Sequence, residues 1–503
     1  MKKTTKLLSI LLSLLLVVSI AMPVFAADTY TLTIDKEVDG HVYEVYQIFT
    51  GKLSEEADGD LVLVDILWGT GVTADGQAAL GDAAAKAETI VTTAQAEAFA
   101  DEVSAYLTDV CEVAVYNATD KCYTVENLVA GYYLIKDKDD SLPADKGYTA
   151  YIMKIVADTT ATPKDGETTT IKKVDDKNDS NTAEDAIVWQ DSADHDIGDA
   201  IDFMLEATIC ENYDEYDTYY LALHDTEEAG LTFDPTTIAV YLDGVLMTEG
   251  YELVENPEDD CTFEVVFANL KNTAATAGSV ITVTYKSVLN ENAVIGSQGN
   301  VNKVYGEFSN NPNNEDHGRT EDDAVIVFTY TVQVNKVDEN LQPLSGAIFT
   351  LEKFVADAEG TEIYNGVTGN WVALSTVETT PDTTFTFEGL DDGSYRLTET
   401  KAPTHYNAID PIYFDVTAEH EVEWTMARAD VLTSLNGTIA TGEITLEADL
   451  SSGIIASDVI NDRGTILPET GGIGTTIFYA VGGLLILGAV ILLITKKRVS
   501  SDK

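Results

Sequence analysis

Positive charge is what this sequence has least of. Its 29 lysines and arginines stand against 86 aspartates and glutamates, a formal net charge of −57. So acidic an exterior disfavours nucleic acid and anionic lipid as partners. Histidine is scarce too, at 6 residues, and no nucleophile elbow, P-loop or dinucleotide fingerprint occurs in the chain. An enzyme is therefore disfavoured, and no cofactor is expected. The 4 cysteines, Cys111, Cys122, Cys210 and Cys261, are spaced wrongly for a zinc site, so no metal is expected either. Acid-rich turns such as Asp175-Asp176-Lys177-Asn178-Asp179 read as solvated loops rather than calcium sites. Hydrophobic residues nevertheless make up 45% of the chain. That is enough to fill several cores, which excludes a disordered acidic tail.

The two ends carry apolar runs with distinct flanks. Met1-Lys2-Lys3 and Lys6 precede an apolar stretch over 7–20, and Val24-Phe25-Ala26 offers a small-residue cleavage site. This is a secretory signal peptide over 1–26. In an exported chain, disulfides 111–122 and 210–261 are permitted, two among the pairings that four cysteines allow. At the other end Leu467-Pro468-Glu469-Thr470-Gly471 is followed by an apolar run over 472–495 and then Lys496-Lys497-Arg498. The run is long enough for a transmembrane helix, and the basic cluster fits a cytoplasmic stop. The order of these parts resembles the cell-wall sorting signal of Gram-positive bacteria. That resemblance implies a sortase that cuts between Thr470 and Gly471 and passes the threonine carbonyl to an amine. Membrane anchoring would then be transient and the final address the cell wall.

Between the ends, alternation dominates. Tyr30-Thr31-Leu32-Thr33-Ile34 and the run over 40–49 are strand-like, as are 113–116 and 123–135. An alanine-rich stretch over 78–107 is the one helical region expected in the ectodomain, and a Thr/Pro/Gly-containing link over 159–169 marks a boundary. Short alternating strands with Gly, Asp and Asn turns fill the remainder, as in β-sandwiches. The expected architecture is mostly β: tandem immunoglobulin-like or transthyretin-like sandwiches over 27–160, 161–327 and 328–463, the first with a helical insertion. The sorting signal, transmembrane helix and basic tail occupy 464–503.

Chemistry-bearing residues lie in phase with the core faces. In the third unit Lys336 follows Val332 and Val334, Glu399 follows Tyr395 and Leu397, and Asn461 ends the last strand. A lysine on a core face is costly unless neutral or paired. Lys336-Val337-Asp338, Leu344-Ser345-Gly346-Ala347-Ile348-Phe349, Tyr395 to Pro403 and the terminal asparagine together resemble a collagen-adhesin B-type domain. His405 stands where that family usually has glycine. The resemblance implies a spontaneous isopeptide bond from Lys336 to Asn461, assisted by Glu399.

In the second unit Asp225 is in phase with Leu221 and Leu223. With Lys172-Lys173-Val174-Asp175, Val188-Trp189-Gln190-Asp191, Ile197-Gly198-Asp199 and Asn300-Val301-Asn302, it resembles the A-type second domain of Gram-positive backbone pilins. The implied set is Lys172, Asn302 and the acid Asp225, with Lys173 and Asn310 as alternatives. Asp202 and Glu206 are out of phase and read as solvated. The first unit lacks the set. Its Gly131-Tyr132-Tyr133-Leu134-Ile135-Lys136 resembles the strand that carries the acid, with Lys136 in the acid's place and no asparagine on the strand over 151–156, so no crosslink is expected there. Thr162-Pro163-Lys164-Asp165 resembles the motif whose lysine links pilins to one another.

The resemblance therefore implies a self-crosslinking backbone pilin. Its partners would be pilus-specific and housekeeping sortases, further copies of itself, ancillary pilins, peptidoglycan and a host surface ligand. The competing expectation is a monomeric wall-anchored adhesin, or an ancillary pilin, that uses the same domains as a stalk.

Overall fold

The computed structural model describes residues 28–464, apart from 38, 57–58, 110, 140, 144, 164–165, 182–186, 358 and 379–382, together with a helix over 473–499. Its described strands form six sheets, which fall in three pairs along the chain.

The first pair draws on residues 29–161. Its smaller sheet sets Thr29–Ile34 antiparallel to Cys122–Val129 and parallel to Thr159–Ala161. The expected link at 159 thus starts later: its first three residues are a strand held by the opening strand. The larger sheet contains Tyr43–Glu55, Gly131–Asp137 and Ala150–Ile155. Alternation along Gly131–Asp137 splits the core. Tyr133 and Ile135 face the space between the sheets, while Leu134 faces a second cluster with Phe49, Phe99 and Val103 beneath the helices. Each such fully buried apolar side chain stabilises by about 1.5–3 kcal/mol.

The expected helical stretch is three short helices, α1 (Ala74–Leu80), α2 (Ala83–Ala87) and α3 (Thr93–Ser104). Gly81 takes φ 86° at the end of α1, a conformation that glycine adopts at little cost. Asp82 then caps α2, and Thr92 with Gln95 forms a capping box on α3.

The second pair draws on 169–328. One sheet orders Thr169–Asp175, Ala200–Thr208 and Val280–Leu289 side by side. The facing sheet places Leu221–Glu227 between Phe263–Phe267 and Asn300–Ser309. Period-two alternation sends Ile201, Phe203 and Leu205 inward, and leaves Asp202 and Glu206 half-buried on the outer face. Asp202 pairs there with Lys286 at 2.6 Å. The third pair draws on 330–461. Tyr330–Asp338 lies between Thr384–Leu390, antiparallel, and Ile454–Asn461, parallel. The facing sheet is built around Ile348–Ala356, Gly393–Lys401 and Ile412–His420.

Polar contacts fix both junctions. Tyr148 N donates to Asn310 O at 2.7 Å, and Asn212 Nδ2 donates to Tyr148 O at 2.8 Å. Gly147 passes so close to Gly166 that a Cβ on it would lie 1.9 Å from the Gly166 carbonyl oxygen. Between the second and third units, buried Lys353 reaches Asp196 at 2.6 Å and Asp391 at 2.9 Å. Arg428 forks onto Glu228 through two 2.7 Å bonds. The Lys353 pairs are buried, so desolvation offsets much of their attraction, whereas Arg428 and Glu228 stay partly exposed.

The disulfides expected as permissible are not formed: all four cysteines are free. Cys111 packs against the cluster beneath the helices, whereas Cys122 belongs to the smaller sheet. Cys210 meets Tyr219 before the start of Leu221–Glu227, and Cys261 lies beside the far end of that strand.

The C-terminal helix α4 spans Ile473–Val499. Among the described residues no helix is both long and apolar enough to cross a membrane. The leader over 1–26 and Leu467, Pro468, Glu469, Thr470 and Gly471 lie outside the described residues.

Candidate functional site

In the second unit, alternation along Thr169–Asp175 turns Lys172 into the sandwich and Lys173 out of it. Lys172 is fully buried. Its Nζ donates to the Asp225 carboxylate and, at 2.7 Å, to the Tyr285 hydroxyl. Asn302, on the strand beside Asp225, is also fully buried and donates through Nδ2 to Tyr285 Oη at 2.9 Å. Glu227 Oε1 lies 3.4 Å from the same nitrogen. Tyr285 thus bridges the lysine on one sheet to the acid and the amide on the other. Burial pushes the Lys172 amine down and the Asp225 carboxyl up, against their mutual attraction. Glu227 is pushed up to about 7, by burial first and then by the Asp225 charge.

The alternatives are held elsewhere. Lys173 pairs with Asp191 at 2.5 Å on the outer side of the sheet. Asn310 donates to Lys146 O at 3.2 Å in the junction with the first unit. Tyr285 and Glu227 were not among the residues singled out from sequence. A signal existed for both: Glu227 is two positions beyond Asp225, and Tyr285 follows Val283 in the same inward phase.

The third unit solves the same problem differently. Lys336 and Asn461 sit on adjacent parallel strands, with Lys336 opposite Val459 and Asp338 opposite Asn461. Both are fully buried. Lys336 Nζ donates to the carbonyls of Val459 at 2.6 Å and Val337 at 3.1 Å. Two acceptors match the two hydrogens of a neutral amine and leave its lone pair free, whereas an ammonium would have a third donor to satisfy. Burial lowers the Lys336 amine to about 8, the Glu399 charge opposing. Asn461 Nδ2 lies 2.9 Å from each Glu399 carboxylate oxygen and 2.9 Å from Asn407 O. Glu399 also accepts from Ile409 N at 3.1 Å.

In the first unit the two-residue step from Gly131 through Tyr133 and Ile135 leads to Asp137, not Lys136. Asp137 therefore takes the acid's place, which corrects the sequence assignment. It is buried and holds His41 Nδ1 at 2.8 Å and Thr149 N at 2.8 Å. Lys136 points to the opposite face and pairs with Asp139 at 2.5 Å. Lys36 is 3.5 Å from Glu167. Lys164 lies outside the described residues. Its flanks are fixed where the parallel strand ends at Ala161 and where Gly166 meets Gly147.

Successive β-sandwiches with buried lysine, acid and asparagine define a tandem-domain structural protein. Comparisons with known proteins make this more specific. Residues 330–429 match the prealbumin-like fold domain family, SpaA, and residues 466–501 match the LPXTG cell wall anchor motif. The chain is 26% identical over 337 residues to the trypsin-resistant surface T6 protein of Streptococcus pyogenes serotype M6. That match covers 54% of this chain and spans 60% of the relative's length. In structure the chain is similar to the T6 backbone pilin of serotype M6 Streptococcus pyogenes, described as a modular three-domain protein. The TM-score is 0.51 at 16% identity, over 88% of this chain and 100% of that one. The chain is a cell-wall-anchored surface protein that carries a prealbumin-like domain and shares the fold of a three-domain backbone pilin.

Proposed function

We propose that this protein is the backbone subunit of a covalently polymerised, wall-anchored pilus. Its functional units are 27–160, 161–327 and 328–463, and two of them are welded internally by Lys172–Asn302 and Lys336–Asn461 bonds. The observation that carries the proposal is the pair of buried lysine–acid–asparagine sets in two successive sandwiches. The LPXTG match and the likeness to a backbone pilin support it.

Chemistry follows from burial. A neutral amine is a nucleophile and an ammonium is not. In the third unit the lone pair of Lys336 Nζ attacks Asn461 Cγ. One amine proton passes by way of Glu399 to Asn461 Nδ2, which lies 2.9 Å from both carboxylate oxygens. The Cγ–Nδ2 bond then breaks, one ammonia leaves and a secondary amide remains. In the second unit Asp225 is the acid, and the Tyr285 hydroxyl carries the proton to Asn302 Nδ2. Folding supplies the alignment, which in well-oriented intramolecular reactions is worth about 7–11 kcal/mol of the barrier. Each reaction happens once per chain, so the protein is a substrate of its own fold and of sortases rather than an enzyme.

Between subunits, Thr470 of one copy joins Lys164 of the next. The lysine's short segment is tied down on both sides, by strand pairing at Ala161 and by the Gly147–Gly166 contact. Pro163 restricts the approach further. Intact mass of the recombinant ectodomain tests the internal bonds: the expected deficit is two ammonia molecules, and a full-length mass refutes them. Loss of SDS-resistant ladders from cells that express Lys164→Ala tests the polymer. Ladders that persist refute Lys164. Wild-type cells without ladders leave the monomeric adhesin as the better account.

A further inference from the structure

The second sandwich carries another cluster on the outer face of the sheet that buries Asp225. His224 precedes Asp225 on Leu221–Glu227 and points the opposite way. Directly across the ladder stands Glu264, and the turn before that strand brings in Asp259 and Cys261. His224 Nδ1 lies 2.9 Å from Asp259 Oδ2 and 3.9 Å from Cys261 Sγ, and the sulfur is 3.2 Å from the same carboxylate oxygen. Glu264 Oε1 is 3.3 Å from His224 Nδ1. His224 and Cys261 are buried, at 6% and 8% exposure.

We infer that His224, Asp259 and Cys261 form a three-ligand, zinc-class metal site on the second domain, with solvent completing a tetrahedral coordination. One nitrogen, one sulfur and one carboxylate oxygen are donor types that zinc accepts, at ~2.0–2.3 Å each. Donors at that radius around one ion stand about 3–4 Å apart, the range found among Nδ1, Oδ2 and Sγ. The surroundings support a ligating histidine. Its other nitrogen, Nε2, faces the Glu307 carboxylate at 3.5 Å, and its ring stacks on Tyr305 with centroids 4.3 Å apart. Nε2 makes no hydrogen bond itself, so the stacked Tyr305 ring and the nearby Glu307 charge orient the imidazole. Tyr305 also donates to Asp259 at 2.9 Å and so aims a second ligand. On binding, the Cys261 thiol loses its proton to solvent and the ion ties the turn at 259–261 to the strand of His224. The site is independent of the crosslinks: it lies on the other face of the sheet and uses none of their residues.

Cobalt(II) is the probe, with the full chain purified in mild detergent and freed of metal. The expected result is one equivalent bound per chain, with a near-ultraviolet thiolate-to-cobalt band and intense tetrahedral visible bands, all displaced by zinc(II). Cys261→Ser should abolish the thiolate band and His224→Gln should weaken binding at least tenfold, while Cys111→Ser leaves both unchanged. An unchanged ammonia deficit in each variant shows that the domain still folds. In the wild-type chain, zinc should shield Cys261 but not Cys111 from alkylation. A wild-type chain that gives no thiolate band, or a band that survives Cys261→Ser, overturns the inference. So does weak octahedral cobalt alone.

Discussion

The first and third units share a frame and differ in what fills it. Each opens with a strand of the form apolar-x-apolar-x-lysine, Leu32 to Lys36 in one and Val332 to Lys336 in the other. Each pairs that strand in parallel with its last strand. Each places an acid two steps beyond a tyrosine and an aliphatic residue, as Asp137 and Glu399. In the third unit the lysine is fully buried, its two donors meet carbonyls, and an asparagine lies against the acid. In the first, Lys36 reaches Glu167 near the surface, and Asp137 is occupied by His41. The frame does not make the chemistry. The proposed reaction needs a desolvated amine with an acid and an asparagine beside it, and of these two units the third alone arranges that.

The largest effect expected from breaking this comparison comes from Glu399→Gln. It should retain one ammonia in the intact mass and destabilise the third unit by roughly 4 kcal/mol, the scale for covalent closure of a long loop. Calorimetry of the ectodomain checks the size. A normal ammonia deficit in that variant would show that the acid is dispensable. Asp225→Asn should act likewise on the second unit alone, since the two sets share no residue. Tyr285→Phe should slow the second bond without abolishing it, seen as a mixed mass population that matures with time.

A pH test sharpens the role of burial. In Asn461→Ala the third unit keeps an unlinked Lys336, whose amine is lowered to about 8 from 10.5. Between those values the unfolded chain holds a proton that the folded chain does not, so stability should rise with pH across that window. The gain is at most roughly 3 kcal/mol, and it should vanish in the double variant with Lys336→Met. A flat profile would mean that the buried amine is not depressed. The smallest effect is expected in the first unit. Lys36→Ala should leave the mass deficit unaltered and shift stability by less than about 1 kcal/mol, the range for a partly exposed ion pair. An extra loss of one water from the wild-type ectodomain, cancelled by Lys36→Ala, would break the comparison. It would reveal a lysine–carboxylate bond where none is proposed.

Much of the site was legible because β-strands have a period of two. Once a strand's apolar face is known, Asp225, Lys336 and Glu399 declare themselves as polar residues on that face, whereas Lys172 and Asn302 come from the family resemblance, with Lys173 and Asn310 left open. The same count, started one residue out of step, put Lys136 where Asp137 belongs. The wall-anchoring signal was legible for a different reason: it is a linear pattern that needs no fold.

What the sequence by itself determined is the alternation, the charge, the terminal signals and the inward phase of Lys336. Only the tertiary structure decided which strands lie side by side, and that depends on register between segments far apart in the chain. Register brings Tyr285 between Lys172 and Asn302, and sends Lys173 and Asn310 to other partners. It leaves the four cysteines free and brings Cys261 to His224 and Asp259. Spacing along the chain carries no information about such meetings. The distances that matter are measured across hydrogen-bonded ladders and between facing sheets.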